Sequence, residues 1–128
     1  MNNENTKSRF EDLIVWKKAR ELRVELSEIV RAFPKKEFYV LSNQIIRASR
    51  SVTNNIAEGY GRYHYQENIQ FCRHARGSLY ELIDHLIICL DENYLNIEKF
   101  SDLRFKILNT IKILNGYISY LKKQKELN

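Results

Sequence analysis

Proline and glycine are almost missing from this chain, with one proline and four glycines in 128 residues. An all-β protein turns every ~8–12 residues and relies on those residue types to do it. Sandwiches and barrels are therefore disfavoured, and long, rarely interrupted helices are expected. Cysteine is scarce as well, limited to Cys72 and Cys89. Both fall in one predicted helix, where seventeen residues at ~1.5 Å each hold them ~25 Å apart, beyond disulfide reach. Neither has a Cys or His neighbour at zinc-finger spacing, so both read as small, reduced core residues. No apolar run approaches the ~20 residues of a membrane span. Met1 to Arg9 is polar and charged, without the apolar stretch of a signal peptide, so a cytoplasmic protein is expected.

What is present is an ordinary globular balance, 44% hydrophobic and 29% charged, enough for one domain with its own core. Lys and Arg number 21 against 16 for Asp and Glu, a formal charge of +5. That modest excess is compatible with a polyanionic partner.

Apolar residues recur with a helical period in four stretches. From Asp12 to Phe33 the seam is Val15, Ala19, Leu22, Leu26, Ile29 and Phe33, with Asp12 as N-cap and Pro34 as terminator. From Glu37 to Tyr60 it is Leu41, Ile45, Ala48, Val52, Ile56 and Gly59, and Gly59 and Gly61 are expected to stop the helix in left-handed conformations. From Gln66 to Asn93 two adjacent stripes give a wide apolar arc: Ile69, Cys72, Leu79, Ile83, Leu86 and Leu90 beside Phe71, Ala75, Leu82 and Cys89. From Ile97 to Lys123 the seam is Ile97, Phe100, Ile107, Ile111, Leu114, Ile118 and Leu121. Four such helices with short links predict an all-α, up-down-up-down antiparallel four-helix bundle in a single domain.

Helix two also carries a polar stripe, Gln44, Arg47, Ser51, Asn55 and Glu58. Helix three carries another, His74, Ser78, Glu81 and His85. If residues 59–65 close an antiparallel hairpin, facing residues have numbers summing to roughly 126–129. Arg47 then meets Glu81, Ser51 meets Gly77 or Ser78, Asn55 falls near Arg73 and His74, and Gln44 near Asp84 or His85. Such a network sets register better than it adds stability, and a subunit interface is the other use for it. Gly77, in mid-helix at a cost of ~1 kcal/mol against alanine, is expected to allow close approach to Ser51.

The loop Tyr60-Gly61-Arg62-Tyr63-His64-Tyr65 interleaves aromatic and basic side chains, the combination with which single-stranded RNA is stacked and neutralised. In the predicted topology it shares one end of the bundle with Lys7, Arg9, Lys17, Lys18, Lys122, Lys123 and Lys125, against Glu4, Glu11, Asp12, Glu58, Glu67 and Glu126. The opposite end reads as neutral or slightly acidic, with Asp91, Glu92, Glu98 and Asp102. Tyr60, Arg62, Tyr63, His64, Lys122, Lys123 and Lys125 are therefore the candidate nucleic-acid contacts. The tyrosines could equally cap the bundle or pack on a neighbouring subunit, and the lysines could simply be a solvated helix end.

Catalytic constellations are not found. A helical RNase site pairs an Arg with a His four to six residues beyond it, but the required places before His64, His74 and His85 hold no arginine. A di-metal bundle needs Glu-x-x-His on two helices, and that motif does not occur; Glu81 and His85 suit a helix-surface hydrogen bond better than a metal. No phosphate-cradling glycine loop exists. No catalytic residue, metal or cofactor is predicted.

The run from Gln44-Ile-Ile-Arg47-Ala48 through Ser51-Val52 to Asn55-Ile-Ala-Glu-Gly59 resembles the signature of four-helix-bundle proteins encoded in intervening sequences of bacterial 23S rRNA genes. Phe10-Glu-Asp-Leu13, Trp16, Ala19, Phe33-Pro34, Arg62 and Ala75-Arg-Gly77-Ser78-Leu79-Tyr80-Glu81 extend the likeness over roughly Phe10 to Leu121. Val52 stands where isoleucine is more usual. The resemblance implies a four-helix bundle that assembles as a homopentamer. It extends to the accessory variability determinant proteins of diversity-generating retroelements, basic pentamers that associate with a reverse transcriptase and bind nucleic acid. The expected function is a non-catalytic, homo-oligomeric bundle binding nucleic acid, RNA foremost, through a basic, tyrosine-rich rim. The alternative is a scaffold that engages a partner enzyme.

Overall fold

A computed structural model describes residues 9–127. They form four helices and two short 3-10 turns: the turn Phe10–Asp12, α1 (Ile14–Val30), the turn Lys35–Glu37, α2 (Leu41–Tyr60), α3 (Tyr65–Asp91) and α4 (Ile97–Leu127). The result is an all-α bundle, with no strand among the described residues. Each helix has two close neighbours, in the pairs α1–α2, α2–α3, α3–α4 and α1–α4, while the backbones of the diagonal pairs stay apart. These are the pairings that an up-down-up-down order requires.

The apolar seams form the core. Every predicted seam residue of α2 is buried, Leu41, Ile45, Ala48, Val52, Ile56 and Gly59. In α1 the seam holds from Val15 to Leu26 and passes to Val30, while Ile29 and Phe33 are half-buried at its edge. α3 buries Ile69, Cys72, Ala75, Leu79, Leu82, Leu86 and Cys89, drawing on both stripes, as a helix flanked by two neighbours must. In α4, Leu103 and Thr110 join the seam, and Ile97 leaves it for solvent.

Several boundaries differ from expectation for local reasons. Leu13, not Asp12, precedes the first turn of α1, and the Asp12 carboxylate instead accepts the Arg9 backbone N–H at 3.2 Å. α1 ends at Val30 because Arg31, Ala32 and Phe33 each bond three residues back, tightening the chain before Pro34. α2 then starts only at Leu41, after a 3-10 turn and an irregular Val40. At the end of α3, Asn93 is left-handed (φ 63°). Its N–H bonds Leu90 O at 3.1 Å and that of Tyr94 bonds Cys89 O at 2.8 Å, the pattern of a Schellman stop with asparagine in the place of glycine.

The glycines do other work than predicted. No glycine has a positive φ; in the hairpin loop it is Tyr63 that turns left-handed (φ 64°). Gly59 is a packing residue. A Cβ there would lie 2.7 Å from Asn68 Oδ1 and 2.9 Å from Phe71 Cβ, so its absence lets α2 close on α3. Gly77, expected to serve that purpose, has nothing within 4 Å of where its Cβ would be.

Candidate nucleic-acid interface

The loop between α2 and α3 and the last turns of α4 meet at one end of the bundle. Lys125 Nζ, near the end of α4, donates to Gln66 Oε1 in the first turn of α3 at 2.5 Å. In the α2–α3 loop the left-handed Tyr63 projects its ring into solvent, 91% exposed, and His64 is exposed in extended backbone at the entry to α3. Tyr60, on the last turn of α2, is half-buried. Lys122 and Lys123 are exposed and have no ion pair among the described residues. Arg62 is more committed: it donates to Glu58 Oε2 at 3.0 Å, and its guanidinium lies 4.9 Å from the Phe71 ring centroid. Lys7 and Glu4, counted at this end from sequence, lie outside the described residues.

Under this rim sits a polar contact that sequence reasoning missed. Asn68 is buried, donates to Tyr117 Oη at 3.2 Å and accepts the Cys72 thiol at 3.5 Å. Its Oδ1 occupies the space left by Gly59. Burial pushes the Tyr117 hydroxyl up to about 12, with the hydrogen bond to Asn68 opposing. Tyr117 stacks on Tyr120, ring centroids 6.3 Å apart, and Tyr120 is 54% exposed. Tyr120 stands one turn before Lys123, so the aromatic surface continues up α4 to the lysines. A Tyr117/Tyr120 pair at helical spacing beside Lys122 and Lys123 was the available signal.

The polar stripes of α2 and α3 meet only at their centre. Ser51 Oγ and Ser78 Oγ are 2.8 Å apart, in the register that the hairpin requires. Asn55 does not reach Arg73 or His74; its amide donates back to Ser51 O at 2.8 Å and Ser51 Oγ at 3.0 Å. Arg47 and Glu81 do not pair. Both are exposed, and Glu81 takes the nearer His85 Nε2 on its own helix at 3.0 Å. A cross-helix pair of two exposed, flexible side chains gains little against that. Glu58 is taken by Arg62, and Gln44 is exposed. The network is a three-residue knot, Ser51, Asn55 and Ser78, and not a zipper.

The opposite end is also less acidic than expected. Arg31, Lys35 and Lys36 are exposed there. Asp102 is matched by Lys106 at 3.1 Å, and Glu25 accepts from Lys99 at 2.7 Å and Lys106 at 3.0 Å. Burial raises the Glu25 carboxyl, but these two lysines outweigh it and hold it below the ordinary carboxylate range.

Residues 11–116 match the family described as 23S rRNA-intervening sequence protein. The chain belongs to that family. Among solved structures it is similar to a protein of unknown function from the S23 ribosomal protein family of Bacteroides thetaiotaomicron, with a TM-score of 0.76 at 20% identity over 83% of this chain and 96% of that one. At that identity the likeness concerns the fold. No curated protein matches the chain. The 23S rRNA-intervening sequence match includes Ser51, Asn55, Gly59, Asn68 and Ser78, the contacts that join α2 to α3, and the loop Tyr60 to Tyr65. Lys122, Lys123 and Lys125 lie beyond the matched stretch. Of the two halves of the rim, the loop thus belongs to the shared bundle and the lysines to the extended end of α4.

Proposed function

We propose that this 23S rRNA-intervening sequence protein is a non-catalytic, homo-oligomeric bundle of the cytoplasm that binds nucleic acid, RNA foremost, through the rim at the α2–α3 loop. The observation that carries the reading is the Lys125–Gln66 bond, which ties the last turns of α4, where Lys122 and Lys123 are exposed and without an ion pair among the described residues, to the start of α3 next to the exposed Tyr63 and His64. An exposed ring stacks on any unpaired base, and adjacent lysines neutralise the flanking phosphates. The family signature and the likeness to the accessory variability determinant proteins support a homopentamer. A ring of five would repeat a weak rim five times, which converts low single-site affinity into useful avidity. The non-catalytic reading is supported by the histidines. His85 is tied to Glu81, and neither His64 nor His74 has an arginine at the spacing that phosphodiester cleavage on helices uses.

The test is charge reversal of Lys122, Lys123 and Lys125 to Glu together, with binding of a short labelled RNA followed by anisotropy across salt. The wild type should lose affinity steeply with salt, since each phosphate contact to a single strand contributes a slope of about −0.7. The variant should lose most of its binding. A variant that binds RNA as the wild type does refutes the rim, and a wild type that binds no RNA favours the scaffold that engages a partner enzyme.

A further inference from the structure

The two sides of α1 are electrostatically unlike. On the side facing α4, charges are matched: Glu25 with Lys99 and Lys106, and Lys18 with Glu21 at 3.7 Å. On the side facing α2 they are not. Arg23, Arg31 and Arg50 line one depression of about 240 Å³, with Glu28 as its one carboxylate. None of the three arginines is in an ion pair among the described residues. Arg23 is held in place through a neutral partner, Nη1 donating to the buried Thr53 Oγ1 at 2.9 Å, which leaves its charge uncompensated and its other N–H groups available.

This depression runs into a larger one of about 790 Å³ at the α1–α2 link, and the two share Ser27, Arg31 and Ile46. Lys35, Phe38 and Tyr39 stand at its far side. Phe38 is 63% exposed and Tyr39 83% exposed, their rings edge-to-face at 4.8 Å. Two large rings so exposed, in one depression with Arg31 and Lys35 and next to the one that holds Arg23 and Arg50, are not core residues at a surface edge. Their exposed ring surface suits a planar, apolar partner, and the cations nearby call for an anion. Arginine in particular offers the planar fork that matches phosphate oxygens.

We propose that the α1–α2 seam is a second nucleic-acid groove. Arg23, Arg31, Lys35 and Arg50 neutralise the backbone of a single RNA strand, and Phe38 and Tyr39 stack its bases at the link end. A single strand fits this chemistry because only unpaired bases offer faces to the rings. The choice of RNA rests on the functional reading above; the seam itself is a different surface from the rim, at the other end and along the side of the bundle.

The experiment uses the full chain with a labelled single-stranded RNA in anisotropy titrations over a salt series, with the mass of each protein checked by light scattering. Three variants are compared with the wild type: Arg31→Glu with Arg50→Glu, Phe38→Ala with Tyr39→Ala, and the lysine variant of the rim. The residues of the first pair are exposed and their side chains have no partner among the described residues, so the fold does not depend on them. The arginine variant is expected to lose at least tenfold in affinity and about 1.4 in salt slope, the share of two phosphate contacts. The aromatic variant is expected to lose about tenfold with the slope unchanged, and to bind duplex RNA as the wild type does. If both seam variants bind as the wild type while the rim variant does not, the seam is refuted and the rim stands. If the seam variants lose binding and the rim variant keeps it, the seam stands and the rim falls. Loss of binding together with a changed mass overturns the proposal in favour of an interface between copies, and a wild type that binds no RNA overturns both.

Discussion

Substituting alanine at Gly59 introduces one methyl group where α2 lies tightly against α3. The added Cβ would stand 2.7 Å from Asn68 Oδ1, 2.9 Å from Phe71 Cβ and 3.1 Å from Asn68 O. Asn68 could move its side chain, at the expense of its bond to Tyr117, which is worth about 1 kcal/mol. The Phe71 Cβ and the Asn68 carbonyl cannot move without the helix. Overpacking of this kind costs about 1–3 kcal/mol, and the better helix propensity of alanine returns ~1 kcal/mol. The net expectation is a loss of about 1–3 kcal/mol. Gly77→Ala is the internal control, because its Cβ meets nothing within 4 Å and only the propensity gain of ~1 kcal/mol remains. The two variants should therefore differ by about 2–4 kcal/mol. In urea, at a slope of ~2 kcal/mol/M, that separates their midpoints by about 1–2 M. If Gly59→Ala unfolds at the same urea concentration as Gly77→Ala or above it, the close-approach account of Gly59 is wrong.

The Ser51–Ser78 contact should give a coupling energy of about 0.5–1.5 kcal/mol in a double-alanine cycle read by denaturation, whereas Arg47→Ala should change stability by less than about 0.5 kcal/mol; the reverse order would restore the zipper. The Glu25 carboxyl is held below its unfolded value, so its contribution is present above that value and is lost as pH falls through the lowered one. Glu25→Gln should accordingly flatten the acid limb of a stability–pH curve, and an unchanged limb would show that the lysines do not hold it. Burial pushes both cysteine thiols up to about 12, so neither should react with an alkylating reagent at pH 8 until denaturant is added. Rapid labelling of the native protein would contradict their burial.

Much of the fold was legible because helix seams are periodic and few residues interrupt them. The α2 seam follows from spacing alone, and with the hairpin assumed spacing narrows the partner of Ser51 to Gly77 or Ser78, of which the structure takes Ser78. Helix ends were not legible, since they depend on particular backbone states: Asn93, not a glycine, turning left-handed after α3, and α2 delayed by the Lys35–Glu37 turn. Glycine roles were exchanged for a related reason. Whether a mid-helix glycine meets a neighbour depends on the rotational phase of two helices, and spacing left Gly77 and Ser78, one residue apart, as equal partners for Ser51. The loop residues of the candidate interface could be named from their composition, but not the commitment of Arg62 to Glu58 and Phe71. The α1–α2 seam escaped altogether. Arg23 and Arg31 lie on α1 and at its end but Arg50 on α2, and the three become a cluster only once the two helices are laid side by side.

The most direct test of the account is the light-scattering mass of the purified protein with and without a short RNA, at low and moderate salt. An assembly of several subunits that gains the mass of RNA at low salt and sheds it as salt rises is the predicted result. An assembly whose mass is the same with and without RNA at every salt concentration would contradict it.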